Sequence, residues 1–327
     1  MAQAIAYTTV GNREDITDMI SRVEPEDCPL VSMLNKSEAP MATVHEWQVD
    51  TYGNPRFSAA RDGADVTNFN NRAENRKKIN NRLQILQESW SVGKLQEKIS
   101  SGGGTAGVSS EKAKSQAATM IMLKEGMEAC IGSDQDIAEE SGNYGDQLRA
   151  LGKYTDATNT DFPAFARTPA ASIGTTSSLT EATFNAVIQS RYKASGRKRK
   201  TILFAGPSLK NKITNFVRAE SASVGNTYRV QQMASEKTVT FSVNTYESDY
   251  GSVDIIPSLF LGRVSEADSN TTSDERGYLI DMDMVSLSIM DNITQYELAD
   301  QGGGPRGFAE AIFTLVVNNP KALGKFA

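Results

Sequence analysis

The sequence predicts an α+β protein in which one domain is inserted into another and a long polar arm projects from the first. Three observations predict this. Two strand-like runs, at residues 44–50 and 83–92, enclose a stretch that is too polar to fold alone. The longest helical pattern follows at residues 108–131. A compact helix, strand and helix unit then begins near residue 175, and strand patterns return after it.

The first 43 residues are predicted to be an N-terminal arm with two apolar anchor points rather than a domain. A short helix is predicted over residues 12–23, and Pro25 ends it. The apolar residues that recur at helical spacing are Ile16, Met19, Ile20 and Val23. A second apolar cluster, which contains Leu30 and Leu34, precedes a polar link to the first strand.

Residues 44–92 are predicted to form an extended loop, a long β-hairpin that projects from the protein. His45, Trp47 and Val49 alternate with polar side chains, as in a half-buried strand. Between residues 53 and 81, only four large apolar residues stand against nine charged ones. Such a segment cannot build a core, and a two-stranded arm is marginally stable by itself in water. We therefore expect the arm to lie on a neighbouring subunit.

The closing run of the hairpin, at residues 83–92, changes phase. Leu83 and Ile85 share one face, whereas Leu86 and Trp90 continue the apolar pattern on the other. A slip of one residue moves side chains to the opposite face of a sheet. The pattern therefore predicts a β-bulge near Leu86 or a transfer of the chain to another sheet.

A glycine-rich hinge and the long helix follow. Gly102, Gly103 and Gly104 indicate the hinge by composition. The helix over residues 108–131 has an apolar stripe and would span about 36 Å. A long helix with a narrow apolar stripe is typical of a helix that packs across one face of a sheet.

The remaining chain divides into an outer domain, residues 93–174 and 266–327, and an α+β domain inserted at residues 175–265. The inserted domain is indicated by a helix between Thr180 and Gly196, a buried strand and a third helix. The predicted strands lie at residues 201–205, 238–243, 252–256, 277–289, 293–300 and 308–318.

Composition and charge exclude several classes of protein. The 327 residues are 39% hydrophobic with a formal net charge of −6, which does not predict a dedicated binder of nucleic acid or anionic membranes. No apolar run approaches the roughly 18 residues of a membrane span, and the N-terminal residues lack a signal-peptide pattern. Cys28 and Cys130 have no metal-ligand or redox spacing and are predicted to be small buried side chains.

A dinucleotide-binding enzyme is one alternative. Gly102, Gly104 and Gly107 match the GxGxxG fingerprint, which binds a pyrophosphate where a strand leads into a helix. The preceding run is too charged for a central parallel strand, and no second strand with a ribose-binding acid follows. We interpret the glycines as a hinge and expect no catalytic residue, metal site or cofactor.

Two acidic pairs, Asp134 with Asp136 and Asp281 with Asp283, offer ligands for a hard cation but are more typical of solvated surfaces. His45 is the only histidine, and we interpret it as a surface strand residue.

The run at residues 191–200 carries six cations. Its end, the proposed patch, consists of Arg197, Lys198, Arg199 and Lys200. These residues could contact DNA phosphates, complement a helix dipole or meet an acidic neighbouring subunit, and the sequence leaves all three open.

The order of the elements and three stretches of residues resemble the major capsid proteins of tailed bacteriophages with the Hong Kong 97-type fold. The stretches are residues 25–34, 44–50 and 81–92. Cys28 stands where that capsid subfamily has threonine in a Pro-x-x-Thr-Pro arm. The resemblance implies an N-arm, an extended loop, a spine helix in a peripheral domain and an inserted axial domain.

The resemblance also implies a function. The subunit would assemble through hexamers and pentamers into an icosahedral head around double-stranded phage DNA, first in the host cytoplasm and finally in the virion. The implied partners are portal, scaffolding and decoration proteins, and no contact with a membrane is implied. Contacts between subunits are predicted at Leu30, Leu34, Trp47, Arg56, Phe57, Arg61, Phe69 and Arg76. An encapsulin-type shell, the dinucleotide-binding enzyme and a virion decoration or fibre protein are the alternatives.

Overall fold

The structure, a computed structural model, describes residues 27–53, 55, 57–63, 65, 69, 71–103, 109–142, 144–196, 200–216, 243–261 and 274–327. Its helices are α1 (Pro29–Met33), α2 (Lys94–Ser101), α3 (Glu111–Ile131), α4 (Leu151–Tyr154), α5 (Glu181–Ser195) and α6 (Pro207–Phe216). Its strands are β1 (Asn35–Ser37), β2 (Val44–Val49), β3 (Lys77–Arg82), β4 (Gln84–Ser91), β5 (Ile173–Gly174), β6 (Thr201–Ala205), β7 (Thr245–Ser248), β8 (Gly251–Pro257), β9 (Gly277–Ile280), β10 (Val285–Leu298), β11 (Arg306–Val317) and β12 (Gly324–Phe326). The helix predicted over 12–23 lies outside the described residues, as does nearly all of the strand predicted at 238–243.

A four-stranded sheet and α3 enclose the larger core. The strand order is β1-β10-β11-β4, and β10 and β11 form a long antiparallel hairpin. Leu123, Met127 and Ile131 of α3 are buried, which confirms the prediction that the long helix packs across a sheet. Ser110 caps the helix, which therefore begins three residues after the predicted start and spans about 31 Å.

The apolar stripe predicted for the long helix is wrong in its first half. Ala113, Ala117 and Met120 are exposed there. In that half α3 meets β10 through polar groups instead, because the Gln116 carbonyl accepts a hydrogen bond of 2.8 Å from Gln295 Nε2.

A six-stranded sheet of order β5-β12-β9-β6-β8-β7 supports a second core, which includes Phe184 of α5 and Leu209 of α6. The predicted caps of α5 are confirmed. Thr180 forms a capping box, and Gly196 ends the helix with a φ of 65°. However, β5, β9 and β12 come from outside residues 175–265, so the inserted domain shares its sheet with the flanking chain.

The extended loop is built differently from the prediction. β2 pairs with β3 in a two-stranded sheet, with Val44 opposite Arg82 and Val49 opposite Lys77. β4 instead pairs with β11 in the four-stranded sheet. The predicted transfer between sheets is therefore confirmed, but the chain crosses at Leu83 rather than at Leu86.

Residues 94–101 form a helix, α2, which the sequence analysis missed. Gly102 is its C-terminal cap, and Gly103 follows with a φ of 78°, a conformation that favours glycine. Gly104 lies outside the described residues.

The strand predicted at 277–289 is two strands, β9 and β10, separated by a tight turn that contains Asp281 and Asp283. The strand predicted at 293–300 is the continuation of β10, whose register shifts twice between Ile289 and Thr294. Among the described residues, no helix is both long and apolar enough to cross a bilayer.

Candidate inter-subunit surfaces

Asn81 fixes the base of the arm. Its buried Nδ2 donates to the carbonyls of Arg149 (3.1 Å) and Leu315 (2.8 Å), and its Oδ1 accepts from the Arg149 amide at 2.7 Å. Ile79, two residues earlier on the same face of β3, is buried in the larger core. Contacts within the same chain therefore fix the base of the arm and its direction.

Trp47 ties the opposite strand of the arm to the same core. Its indole Nε1 donates to the Val317 carbonyl at 3.1 Å, and its ring packs partly buried against the larger core. His45 stacks at a tilt beside it, with 5.8 Å between ring centroids. The predicted strand position of His45 is confirmed, and the ring of Trp47 is largely used within its own chain.

The tip of the arm, here the described residues between β2 and β3, is exposed rather than buried. Phe57 and Phe69 have relative exposures of 102% and 86%, and Tyr52 is equally exposed. Arg61 and Arg76 are exposed as well. Arg56 lies outside the described residues. The described tip therefore exposes two apolar side chains, Phe57 and Phe69, and two cationic ones, Arg61 and Arg76.

Leu30 and Leu34 require a correction. Both were predicted to contact a neighbouring subunit, but they are buried in the larger core of their own chain. With exposures of 0% and 5%, Leu30 and Leu34 offer almost no surface to another subunit and instead attach α1 to its own protomer.

Glu128 joins three parts of the chain at that anchor. This fully buried carboxylate of α3 accepts the backbone amides of Leu30 (3.1 Å) and Val31 (2.8 Å) and the hydroxyl of Ser258 (2.7 Å). Burial raises the pKa of the Glu128 carboxyl above its ordinary range, although these hydrogen bonds act in the lowering direction.

The face of the four-stranded sheet opposite α3 carries an apolar band, here called the outer sheet face. Ile85 lies opposite Ile312, and Phe308 lies opposite Tyr296, with 5.2 Å between their ring centroids. Gln295 contacts α3, so its neighbour Tyr296 faces away from the helix. Ile85, Tyr296 and Leu298 are exposed.

The predicted hinge does not support a dinucleotide site. Gly102 follows the helix α2, whereas the GxGxxG fingerprint requires a strand before it. Lys200 forms an ion pair of 2.6 Å with Asp254, and Arg197, Lys198 and Arg199 lie outside the described residues.

The acidic pairs have partners in the described part of the chain. Asp134 pairs with Arg276 and Lys325, each at 2.5 Å, and Asp136 pairs with Arg149. Asp281 is buried beside Arg191, with 3.7 Å between Oδ2 and Nη2. The described residues contain no cluster of three ligands suited to a metal ion.

Cys28 and Cys130 are buried free thiols, as predicted. Burial raises the pKa of each to about 12, so neither is a reactive nucleophile at neutral pH.

Neither Asn81 nor Glu128 was predicted from the sequence to have such a role. The available signal was a polar residue at an inward position. Asn81 lies between Ile79 and Leu83 in a strand alternation, whereas for Glu128 the signal is its position three residues before the apolar Ile131 on the long helix.

Comparison with known proteins supports the capsid interpretation. Residues 4–327 match the family described as SU10 major capsid protein. No curated protein sequence matches the chain. The capsid asymmetric unit of cyanophage A-1(L) superposes with a TM-score of 0.67 at 11% identity, covering 96% of each chain.

Two further solved structures are similar. One is from Mycobacterium phage Ogopogo, with a TM-score of 0.60 and 10% identity over 99% of each chain. The other is the SrpI encapsulin of Synechococcus elongatus, with a TM-score of 0.52 and 11% identity over 100% of this chain and 95% of that one. The fold, a mixture of helices and sheets, is thus shared with shell proteins, and the chain belongs to the SU10 major capsid protein family.

Proposed function

We propose that this capsid protein closes its shell by laying the tip of its arm on the outer sheet face of the neighbouring subunit. The observation that carries the proposal is the contrast within the arm. Its base is held by Asn81 and Trp47, whereas Phe57 and Phe69 at its tip are exposed. An arm of fixed direction with an apolar end is suited to a contact with a partner.

The two surfaces are complementary in character. The outer sheet face offers Ile85, Tyr296 and Phe308. Fully burying an exposed phenylalanine such as Phe57 against it contributes about 1.5–3 kcal/mol. Glu310 on the same face provides a carboxylate for the exposed arginines of the tip. Because the two patches differ, the contact is heterologous, and copies related by rotation close into rings.

The larger assembly follows from the family. We infer a Hong Kong 97-type arrangement in which hexamers and pentamers form an icosahedral head around double-stranded DNA. The unit around the six-stranded sheet would be the axial domain, and α3 would be the spine helix. Portal, scaffolding and decoration proteins are the proposed partners, with assembly in the host cytoplasm.

A double substitution, Phe57→Ser with Phe69→Ser, tests the clasp. We expect soluble monomers or small oligomers in place of shells, measured by electron microscopy and sedimentation velocity. Tyr144→Ser is the matched control, because this aromatic side chain is also exposed but lies outside residues 44–92. Complete shells from the double variant would contradict the proposal.

An encapsulin-type shell is a second candidate, favoured by the similarity to the SrpI encapsulin. The contents of shells purified from infected or producing cells distinguish the two. After nuclease treatment of intact particles, protected double-stranded DNA of uniform length indicates a phage head, and a single enclosed protein indicates an encapsulin.

A further inference from the structure

The chain passes between the two sheets at two places in its C-terminal part. Residues 281–284, here called the first crossing, lead from β9 in the six-stranded sheet to β10 in the four-stranded sheet. Residues 318–323, the second crossing, lead from β11 in the four-stranded sheet back to β12 in the six-stranded one. The Asn318 amide donates to the Met284 carbonyl at 2.9 Å, so the two crossings lie side by side.

Arg191 of α5 joins both crossings, although its side chain is only 3% exposed. Its Nε donates to the Ala322 carbonyl of the second crossing at 2.6 Å, and its Nη2 lies 3.7 Å from Asp281 Oδ2 in the first crossing. Asp281 is equally buried, and its Oδ1 accepts the Asp283 amide at 3.2 Å within the turn. One guanidinium therefore connects a helix of the second core to both crossings.

A gain in stability does not explain this buried pair. Among the described residues, Arg191 Nη2 makes no hydrogen bond, and its distance from Asp281 exceeds that of a hydrogen bond. Burial lowers the pKa of Arg191 to about 10 and outweighs the attraction of Asp281, so the side chain is charged at neutral pH but incompletely compensated. Because a buried ion pair with such geometry contributes little to stability or opposes it, another role must account for the arginine.

The shape of the arginine side chain is suited to holding two segments at a fixed angle. A guanidinium is planar and rigid, and its nitrogens donate in fixed directions. The first crossing precedes β10 and the second follows β11, so the two partners of Arg191 lie at the same end of the long antiparallel hairpin. Attachment of both strand ends to α5 restrains the rotation of the four-stranded sheet relative to the six-stranded one.

We propose that Arg191 is a positioning residue that fixes the angle between the two sheets and thereby the curvature of the shell. The base of the arm is bonded to β11 through Asn81 and Leu315, and the outer sheet face also belongs to the four-stranded sheet. The angle between the sheets therefore orients both clasp surfaces relative to the rest of the subunit. Heterologous contacts close only at a defined rotation between copies, so a variable angle would give variable shells. The inference rests on the proposed shell function.

Arg191→Lys tests the inference, because lysine keeps the charge but has a single nitrogen on a flexible stem and cannot hold both partners in one plane. We expect a loss of uniform shell diameter, with shells of mixed size and open sheets in electron micrographs. Ile213→Ala is the matched control, since Ile213 is buried in the same core as α5 but belongs to α6 rather than to a crossing. It should lower the midpoint of urea unfolding of the subunit, because it leaves a cavity, while its shells keep the unaltered diameter.

Asp281→Asn is a milder second variant, and it provides the test independently if Arg191→Lys does not fold. It keeps an acceptor for the Asp283 amide but removes the charge beside Arg191 Nη2, and we expect the same loss of uniform diameter. Shells of unaltered, uniform diameter from the folded variants overturn the inference. Mixed sizes from Ile213→Ala overturn it as well, since any loss of stability would then have this effect. Both outcomes leave the proposed function intact, whereas absence of shells from the unaltered chain overturns that function too.

Discussion

The base and the tip of the arm come from one stretch of sequence, yet their side chains are in opposite environments. At the base, Ile79 and Asn81 are buried, and the Asn81 side chain is hydrogen-bonded to segments far away in the chain. At the tip, Phe57 and Phe69 are exposed. The base is therefore part of the fold of the subunit, whereas the tip is exposed and suited to contacts between subunits. Substitutions at the base should therefore change the free energy of unfolding, and those at the tip should change only association.

The largest effect is expected at Asn81. Asn81→Leu removes partners from the carbonyls of Arg149 and Leu315 and from the Arg149 amide, which stay buried. Because each unsatisfied buried group costs about 1–3 kcal/mol, we expect the free energy of unfolding to fall by about 3 kcal/mol or more. Urea denaturation of the assembly-deficient Phe57→Ser, Phe69→Ser subunit measures it.

Asn80→Leu is the control for Asn81. Asn80 has the same side chain and lies on the same strand, but it is exposed on the opposite face. We expect a change below about 0.5 kcal/mol. Similar losses from the two variants would mean that the base of the arm is not fixed by Asn81.

Glu128 should give the next largest effect, with a dependence on pH. Glu128→Ala leaves two amides of α1 and the Ser258 hydroxyl without their acceptor, and we expect a loss of about 2–4 kcal/mol. The exposed Glu140 supplies the control, Glu140→Ala, for which urea denaturation should detect almost no change.

The sign of the pH effect follows from the raised pKa of Glu128. The folded state binds this proton more tightly than the unfolded state, whose carboxyl titrates near its ordinary value of about 4.3. The stabilisation from protonation is complete below that value and is lost as pH rises through the folded pKa. The Glu128→Gln variant should therefore lack this decrease in the free energy of unfolding with rising pH. An identical pH profile of stability for the variant and the unaltered protein would contradict the raised pKa of Glu128.

These contacts also explain what the sequence could and could not predict. The caps of α5 were predictable because Thr180 and Gly196 act on residues next to them. The Arg149 and Leu315 partners of Asn81 are 68 and 234 residues away, and those of Glu128 are 97, 98 and 130 residues away, so no local pattern indicates them. The helix α2 was missed because residues 94–101 contain only two large apolar side chains, Leu95 and Ile99, which are too few to show a helical period.

Trp47 tests the base with a smaller change. Trp47→Phe keeps an aromatic ring but removes the hydrogen bond from Nε1 to the Val317 carbonyl. We expect a loss of about 1 kcal/mol, since this contact is only partly buried. His45→Phe, which alters the neighbouring ring without touching that bond, is the comparison, and urea denaturation should place it closer to the unaltered protein.

The smallest change in stability is expected at the tip. Phe57→Ser with Phe69→Ser removes two aromatic rings that touch solvent in the isolated subunit, so burial on folding is almost unaffected. The unfolding midpoint in urea should therefore match that of unassembled wild-type subunits, within about 0.5 kcal/mol in free energy. A clear loss of stability would mean that the tip packs on its own subunit. Unchanged stability together with lost assembly would show that β3 contributes to the folding of the subunit, whereas the tip contributes to association between subunits.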